Sequence, residues 1–350
     1  MILPLNKTPI VYTPIHANFL SVALSCSKGY EWFFEHYINI YLRIKQVESP
    51  DDYFDTQASY VDLSLLDRNY SPLLEVYSYP KELLDVPFHS FVVELLNNGY
   101  YVFSRLDHFY LHCSWRYNTK HILHTTLISG YENEDFILTD YFDIHYSTKK
   151  ASFADVNLAY RSISRLDMGK PHFHYQKDEI VFFKPAKESD ISYSFSLVNT
   201  VRYLFDYFLG NDSTARLRNE LAWFESFGAY EYHYGVNCIK LIAELYAERR
   251  LTQREFHLLY EHKKNMALRL TYFLEHGYLD SDYFHVKYSE MATTALSIRD
   301  YVAKCEMLGK KSVNYAKIIA KCEKLQKTES EVLAALIERL ISHNRLTCPM

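Results

Sequence analysis

Two periods of apolar residues divide this chain. Up to about residue 185, short apolar runs are mixed with helix-like stretches; from about Ser192 the apolar positions recur at the three-and-four spacing of helices. In the first part the spacing of Phe19, Leu20, Ala23 and Leu24 predicts a helix over Asn18 to Ile44, with Pro14 just upstream. A second helix is predicted over Val86 to Asn98, stopped by Gly99. Strand-like runs follow at Tyr100 to Leu106, His108 to Cys113, Ile122 to Ser129, Phe136 to Thr139 and Ile180 to Phe183. In the second part helices are predicted at Ser194 to Leu209, Ser213 to Phe227, Tyr230 to Arg250, Thr252 to His276, Ser281 to Met307, Ser312 to Leu325 and Thr328 to His343. Thr252 with Glu255, and Thr328 with Glu331, have the spacing of capping boxes.

This pattern predicts an α+β protein: a first domain of helices plus antiparallel sheet over residues 1–187, then an all-α domain over residues 188–350. The boundary falls in the polar, proline-containing segment Lys184 to Asp190. The length of 350 residues is enough for a sizeable core in each.

Composition narrows the function classes. A net charge of −5 provides no basic field for nucleic acid. No apolar run reaches membrane-spanning length, and Met1 to Pro14 lacks the pattern of a signal peptide. The cysteines (Cys26, Cys113, Cys238, Cys305, Cys322, Cys348) form no C-x-x-C pair, which argues against a zinc cage and for a reduced, cytoplasmic setting. The 32 Tyr and 22 Phe beside 9 Gly fit either the codon bias of an AT-rich genome or an aromatic groove for a phenol-bearing or extended substrate.

The candidate chemistry lies in H-T-T-L-I-S-G-Y-E-N-E-D-F-I-L-T-D, His124 to Asp140. Two antiparallel strands joined through a Gly-Tyr turn and an acidic loop would set His124 opposite Asp140. A carboxylate there fixes the imidazole tautomer and stabilises the imidazolium. The bland alternative is a structural histidine and a turn aspartate. His121 and His124 form H-x-x-H, but residues three apart on a strand face opposite ways, so a shared metal is not expected. His172 and His174 would share a strand face, with no third ligand nearby.

Upstream, Y-T-P-I-H-A-N-F-L-S-V-A-L runs a loop into a helix, where a cysteine would gain most from the helix dipole and free N–H groups. The residues expected at that mouth are His16, Ala17 and Asn18. Cys26 lies nine residues past Ala17, about 13 Å along the helix. It is expected in the core; Cys113 is a weaker alternative nucleophile.

Together, the His…Gly-Tyr…Asp hairpin, the H-x-N-F-L at the helix mouth and R-L-D-H-F-Y-L with its Asp107 and Tyr110 resemble the N-terminal domain of the butirosin biosynthesis protein H family. That domain is similar to papain-like peptidases. The stretch Phe256 to Leu274 looks like the helical region these proteins carry behind it. The resemblance implies amide-forming acyl transfer from a carrier-protein thioester to a small-molecule amine in natural-product assembly. It implies a Cys-His-Asp site, no cofactor in the protein itself, and a phosphopantetheine-borne acyl group. His124 matches the family histidine, Asp140 the family aspartate, and Ala17 stands where the family has its cysteine. His16, Asn18 and Tyr110 are the substrate-binding candidates. The retained His124 and Asp140 favour an engineered Cys→Ala change at Ala17. The alternatives are a non-catalytic binding or immunity protein on the same scaffold, and a papain-like peptidase. The charged faces of the helical half (Glu248, Arg249, Arg250, Arg254, Lys263 and Lys264) are expected to be solvated helix surface; the minority reading is docking of an acidic carrier protein on Lys263, Lys264 and Arg269. The C-terminal helices are an alternative homodimer contact.

Overall fold

The computed structural model describes residues 1–45, 56–61, 72–163, 179–213, 230–309 and 313–347. Residues His172 and His174, Cys348 and nearly all of the expected helix Ser213 to Phe227 lie outside them. The protein is α+β and divides into two compact units, Met1–Tyr30 with Leu63–Tyr193 and Glu31–Asp62 with Ser194–Met350. The chain therefore crosses over early. Residues 31–62, expected in the first domain, belong with the helical unit, because the strands they carry pair with a strand from that half.

The first unit is built on a six-stranded antiparallel sheet. Its strands are β3 (Leu74–Pro80), β4 (Tyr101–Asp107), β5 (Leu123–Glu132), β6 (Asp135–Tyr141), β7 (Tyr146–Ser152) and β8 (Glu179–Pro185), in the order β3-β8-β4-β5-β6-β7. The helices of this unit are α1 (Pro14–Ala23), α3 (Phe88–Asn97) and α4 (Phe153–Arg161); α2 (Gly29–His36) carries the chain into the second unit. The expected helix over Asn18 to Ile44 is thus three elements, since after α2 the run I-Y-L-R-I-K forms strand β1 (Ile40–Lys45). Gly29 separates the two helices because a side chain there would sit 2.5 Å from the Ala23 carbonyl oxygen. The expected strand His108 to Cys113 is instead a 3-10 turn, His108–Tyr110, capped by the Asp107 carboxylate accepting from the Phe109 N–H.

Alternation along the strands assigns the two faces of this sheet. One face carries Val102, Leu106, Ile128, Phe136, Leu138, Phe142 and Ile180, packed in a single core with Phe88, Val92 and Leu96 of α3 and Val156 and Ala159 of α4. The other carries Phe103 and Phe183, against which Phe19 of α1 packs at ring-centroid distances of 5.0 and 4.4 Å. The hairpin β5–β6 turns at Asn133–Glu134, with Asn133 at φ 53, and not at Gly130–Tyr131. Gly130 sits at a register shift in β5, where a Cβ would lie 2.6 Å from the Met1 carbonyl oxygen. That glycine is needed for the close approach of the N-terminal segment.

The second unit contains the three-stranded sheet β2-β1-β9, with β2 (Gln57–Tyr60) and β9 (Tyr230–Tyr234), and helices α5 (Leu197–Leu209), α6 (Cys238–Ala247), α7 (Gln253–Glu275), α8 (Tyr283–Met307) and α9 (Tyr315–Asn344). The expected helix Tyr230 to Arg250 begins as a strand because Y-E-Y-H-Y alternates and Gly235 breaks the run at φ +69. Thr252 and Glu255 close a capping box as expected. Thr328 does not: α9 is continuous through it, since no glycine or proline interrupts that stretch. Lys263 and Arg269, expected on a solvated or docking surface, are fully buried. Lys263 pairs with Glu329 and donates to the Tyr207 hydroxyl at 2.9 Å. Arg269 donates to the Phe34 and Tyr37 carbonyls at 2.6 and 2.7 Å. Only Lys264 of the three is exposed, so no basic docking cluster forms there.

Candidate functional site

The site is built on β4, β5 and β6. His124 is the second residue of β5 and lies opposite Leu106 of β4. The β5–β6 register pairs Leu127 with Thr139; one step further sets Asp140 opposite Thr126, with His124 on the diagonal of the same face. The diagonal is short enough: His124 Nδ1 and Asp140 Oδ1 are 2.6 Å apart. The second carboxylate oxygen accepts from the Thr126 hydroxyl at 2.7 Å, and the Tyr141 N–H donates to Oδ1 at 2.7 Å. Asp140 is fully buried, while the His124 side chain is 31% exposed. Its ring also lies beside that of His108, with centroids 5.3 Å apart.

Electrostatics follow from this geometry. Burial alone would push the Asp140 carboxyl up. The charges of His124 and His108, with the hydrogen bond from His124, outweigh it and hold the group well below the usual carboxylate range. Burial pushes the His124 imidazole down, but the Asp140 charge and hydrogen bond leave it above its ordinary value. The pair is a fixed carboxylate and an imidazole whose Nδ1 is committed to it.

A second histidine completes the cluster. His108, in the turn after β4, places Nε2 3.3 Å from Asp140 Oδ2 without closing an aligned hydrogen bond. Its Nδ1 is 3.2 Å from Ser114 Oγ, and its ring stacks on Phe142. His108, Thr126 and Ser114 were not singled out from sequence. Thr126 was legible as the i+2 neighbour of His124 on one strand face; His108 required knowing that the chain turns after Asp107.

The remaining expected residues lie elsewhere. Helix α1 begins at Pro14, four residues before the expected start, because proline is favoured at a first helical position. Ala17 is therefore one turn inside the helix and not at its mouth. Its N–H donates to the Thr13 carbonyl at 3.2 Å, and its methyl is fully buried. Asn18 is consumed structurally: its amide nitrogen lies 3.5 Å from the Thr125 carbonyl oxygen, and its side-chain oxygen accepts from the Tyr146 hydroxyl at 2.5 Å. Those contacts, with Phe19 on Phe103, put α1 on the sheet face of Thr125, Phe103 and Tyr146. His124 and Asp140 share the opposite face with Leu106, Leu138 and Phe142. The structure brings His124 and Asp140 together and does not join Ala17 to them on one face. His16 is buried against Tyr12, and burial lowers its pKa to about 3. Tyr110 packs beside Phe109 and His121, at 5.1 and 5.9 Å between centroids.

His121 has its own carboxylate, Asp107, at 2.7 Å, so the two histidines of H-x-x-H go to separate acids. The two cysteines weighed as nucleophiles, Cys26 and Cys113, do not compete for that role. Burial pushes Cys26 up to about 11, and burial with the carboxylates of Asp155 and Asp140 pushes Cys113 up to about 12. Cys238 and Cys322 are also held at about 12 by burial. No helix among the described residues is long and apolar enough to cross a membrane. No protein-family model matches the chain, and comparison with curated proteins gives no match.

Proposed function

We propose that the chain is an amide-forming acyltransferase in which His124 is the base and Asp140 the carboxylate that orients it, acting on an acyl thioester without an acyl-enzyme at position 17. The observation that carries this reading is the His124–Asp140 pair, 2.6 Å apart with the imidazole partly exposed. With Nδ1–H donated to Asp140, the lone pair is on Nε2. An incoming amine attacks the thioester carbonyl and gives its proton to Nε2. The tetrahedral adduct collapses, the C–S bond breaks, and the imidazolium returns the proton to the departing sulfur. The products are an amide and a thiol. The resemblance of the hairpin to the butirosin family suggests the donor, an acyl or peptidyl group on a carrier-protein phosphopantetheine, and a small-molecule amine as acceptor, in a cytoplasmic setting.

The test is acyl transfer from an acyl-N-acetylcysteamine thioester, and from a loaded carrier protein, to a panel of amines. The expected result is amide formation that falls about 10²–10⁴-fold in His124→Gln. Unchanged turnover in that variant overturns the assignment. A second reading, a non-catalytic binding protein, is favoured by the fully buried Ala17 with its N–H already bonded. It predicts saturable thioester binding with no amide from any amine.

A further inference from the structure

We propose that His108, His124 and Asp140 form a binding site for a divalent transition-metal cation of the zinc class. Each residue offers a ligand atom, and these atoms lie within 4.8 Å of one another; no other His/Cys/Asp/Glu group among the described residues does so. Tetrahedral zinc at about 2.0–2.1 Å from each nitrogen sets ligand atoms roughly 3.3 Å apart. His124 Nδ1 lies 2.6 Å from Asp140 Oδ1 and His108 Nε2 lies 3.3 Å from Oδ2, so each imidazole already meets the carboxylate through its own oxygen.

The second observation is His108 itself. Its side chain is 3% exposed, and its Nε2 is buried with no hydrogen-bond partner, aimed at Asp140. A buried polar atom left unsatisfied is costly, and a cation would satisfy it. The surroundings are those of a metal-binding histidine. Ser114 Oγ at His108 Nδ1 can hold the proton on that nitrogen and leave the Nε2 lone pair for a ligand bond, while Phe142 fixes the ring plane. Asp140 is held by Thr126 and by the Tyr141 N–H while its oxygens still face both imidazoles. Two imidazoles and one carboxylate are the donor set of zinc and its first-row neighbours, not of calcium or magnesium. The exposed side of His124 leaves a coordination position open.

The inference goes beyond the acyl-transfer reading and competes with it. A cation at Nδ1 of His124 moves its proton to Nε2 and removes the lone pair that would accept the proton of the amine. Loading the site therefore silences His124 as a base.

The test uses the full chain, stripped by chelator dialysis and titrated calorimetrically with Zn²⁺ in the absence of any acyl substrate. Co²⁺ absorption serves as an independent readout of ligand geometry. One cation per chain is expected. Affinity should fall at least 100-fold in His108→Ala, and likewise in His124→Gln, which changes a partly exposed side chain and spares the core. His108→Phe keeps the stacking on Phe142 should the alanine variant fold poorly. His121→Asn, outside the cluster, should leave affinity unchanged. Absence of stoichiometric binding, or an affinity in the His108 and His124 variants equal to that of the unmutated chain, overturns the site. Because no acyl transfer is measured, failure here leaves the proposed reaction standing, and failure of acyl transfer leaves the metal site standing.

Discussion

Asp140→Asn separates charge from shape at the centre of the site. The carboxylate faces four groups: His124 Nδ1 and the Tyr141 N–H on Oδ1, Thr126 Oγ and His108 Nε2 on Oδ2. An asparagine whose oxygen takes the Oδ1 place keeps the first two bonds. Its NH₂ then faces the Thr126 hydroxyl, which can turn to accept, and His108 Nε2, which can also accept. The volume is conserved and each group retains a partner, so the loss is that of charge. A hydrogen bond to a charged group contributes about 1.5–3 kcal/mol against about 1 kcal/mol for a neutral one. The expected stability loss near pH 7 is therefore on the order of 1–2 kcal/mol. The chemical effect should be larger. Removing the orienting charge from a histidine base while keeping its geometry costs about 10⁴ in rate in the best-studied triad, and we expect a loss of about 10²–10⁴ in acyl transfer. The sign for His124 follows from its causes. Asp140 holds its pKa above the ordinary 6.5, so acyl transfer by the neutral imidazole should rise with pH through a midpoint above 6.5. The stability gained from the protonated pair is present below 6.5 and lost as pH rises through that midpoint. In Asp140→Asn the midpoint must move down. Carbon-detected NMR titration of labelled histidine, alongside the pH profile of kcat/KM, reads both. A midpoint that stays or rises in a folded variant refutes the reasoning.

Other outcomes follow from the same structure. Ala17→Cys should form no acyl adduct by mass spectrometry on incubation with acyl thioesters, and should cost about 1–3 kcal/mol of stability by overpacking a fully buried position; a stoichiometric adduct at residue 17 would refute the face assignment. His16, neutral in the fold with a pKa of about 3 against 6.5 unfolded, contributes stability that is fully present above pH 6.5 and lost as pH falls towards 3. That amounts to about 2 kcal/mol lost by pH 5, and His16→Gln should flatten thermal stability over pH 5–6.5. In the helical unit, Lys263→Met strands the buried Glu329 carboxylate and should cost about 3–5 kcal/mol. Lys263→Met with Glu329→Leu should recover most of it, and simple additivity in denaturant unfolding would contradict a direct pair.

How far the sequence could be read depended on which positions local pattern controls. The β5–β6 hairpin is legible because T-T-L-I-S and F-I-L-T are short, β-branched and apolar runs on either side of a glycine and an acidic loop, which sets His124 near Asp140. That they meet on a diagonal, with Thr126 directly across from Asp140, needed the register, and the register depends on the irregularity at Gly130. The start of α1 was misjudged by one turn because its first residues, P-I-H, add little to an apolar count, although proline at the first helical position was a usable signal. Lys263 and Arg269 looked like surface because composition prices a cation as exposed. Their burial comes from partners remote in sequence, Glu329 for one and the Phe34 and Tyr37 carbonyls for the other. Glu329 itself sat inside what read as a helix start.

The two faces of the sheet explain why alanine is a stable choice at position 17. On the α1 face the helix lies close, with Asn18 reaching the β5 backbone and Phe19 filling the space over Phe103 and Phe183. A fully buried position one turn into such a helix favours a small apolar side chain, and its N–H is already spent on the Thr13 carbonyl. The polar centre lies on the other face, beside Leu106, Leu138 and Phe142 of the core to which α3 and α4 contribute. Bringing His124 round to α1 would take a one-residue slip of β5, which would also carry Thr126 and Ile128 to the wrong side and tear Ile128 out of the core. The register that buries Ile128 against Leu138 is therefore the same constraint that keeps His124 beside Asp140 and His108 and away from residue 17. Residue 17, a buried methyl on the opposite face, therefore supplies no attacking group to His124.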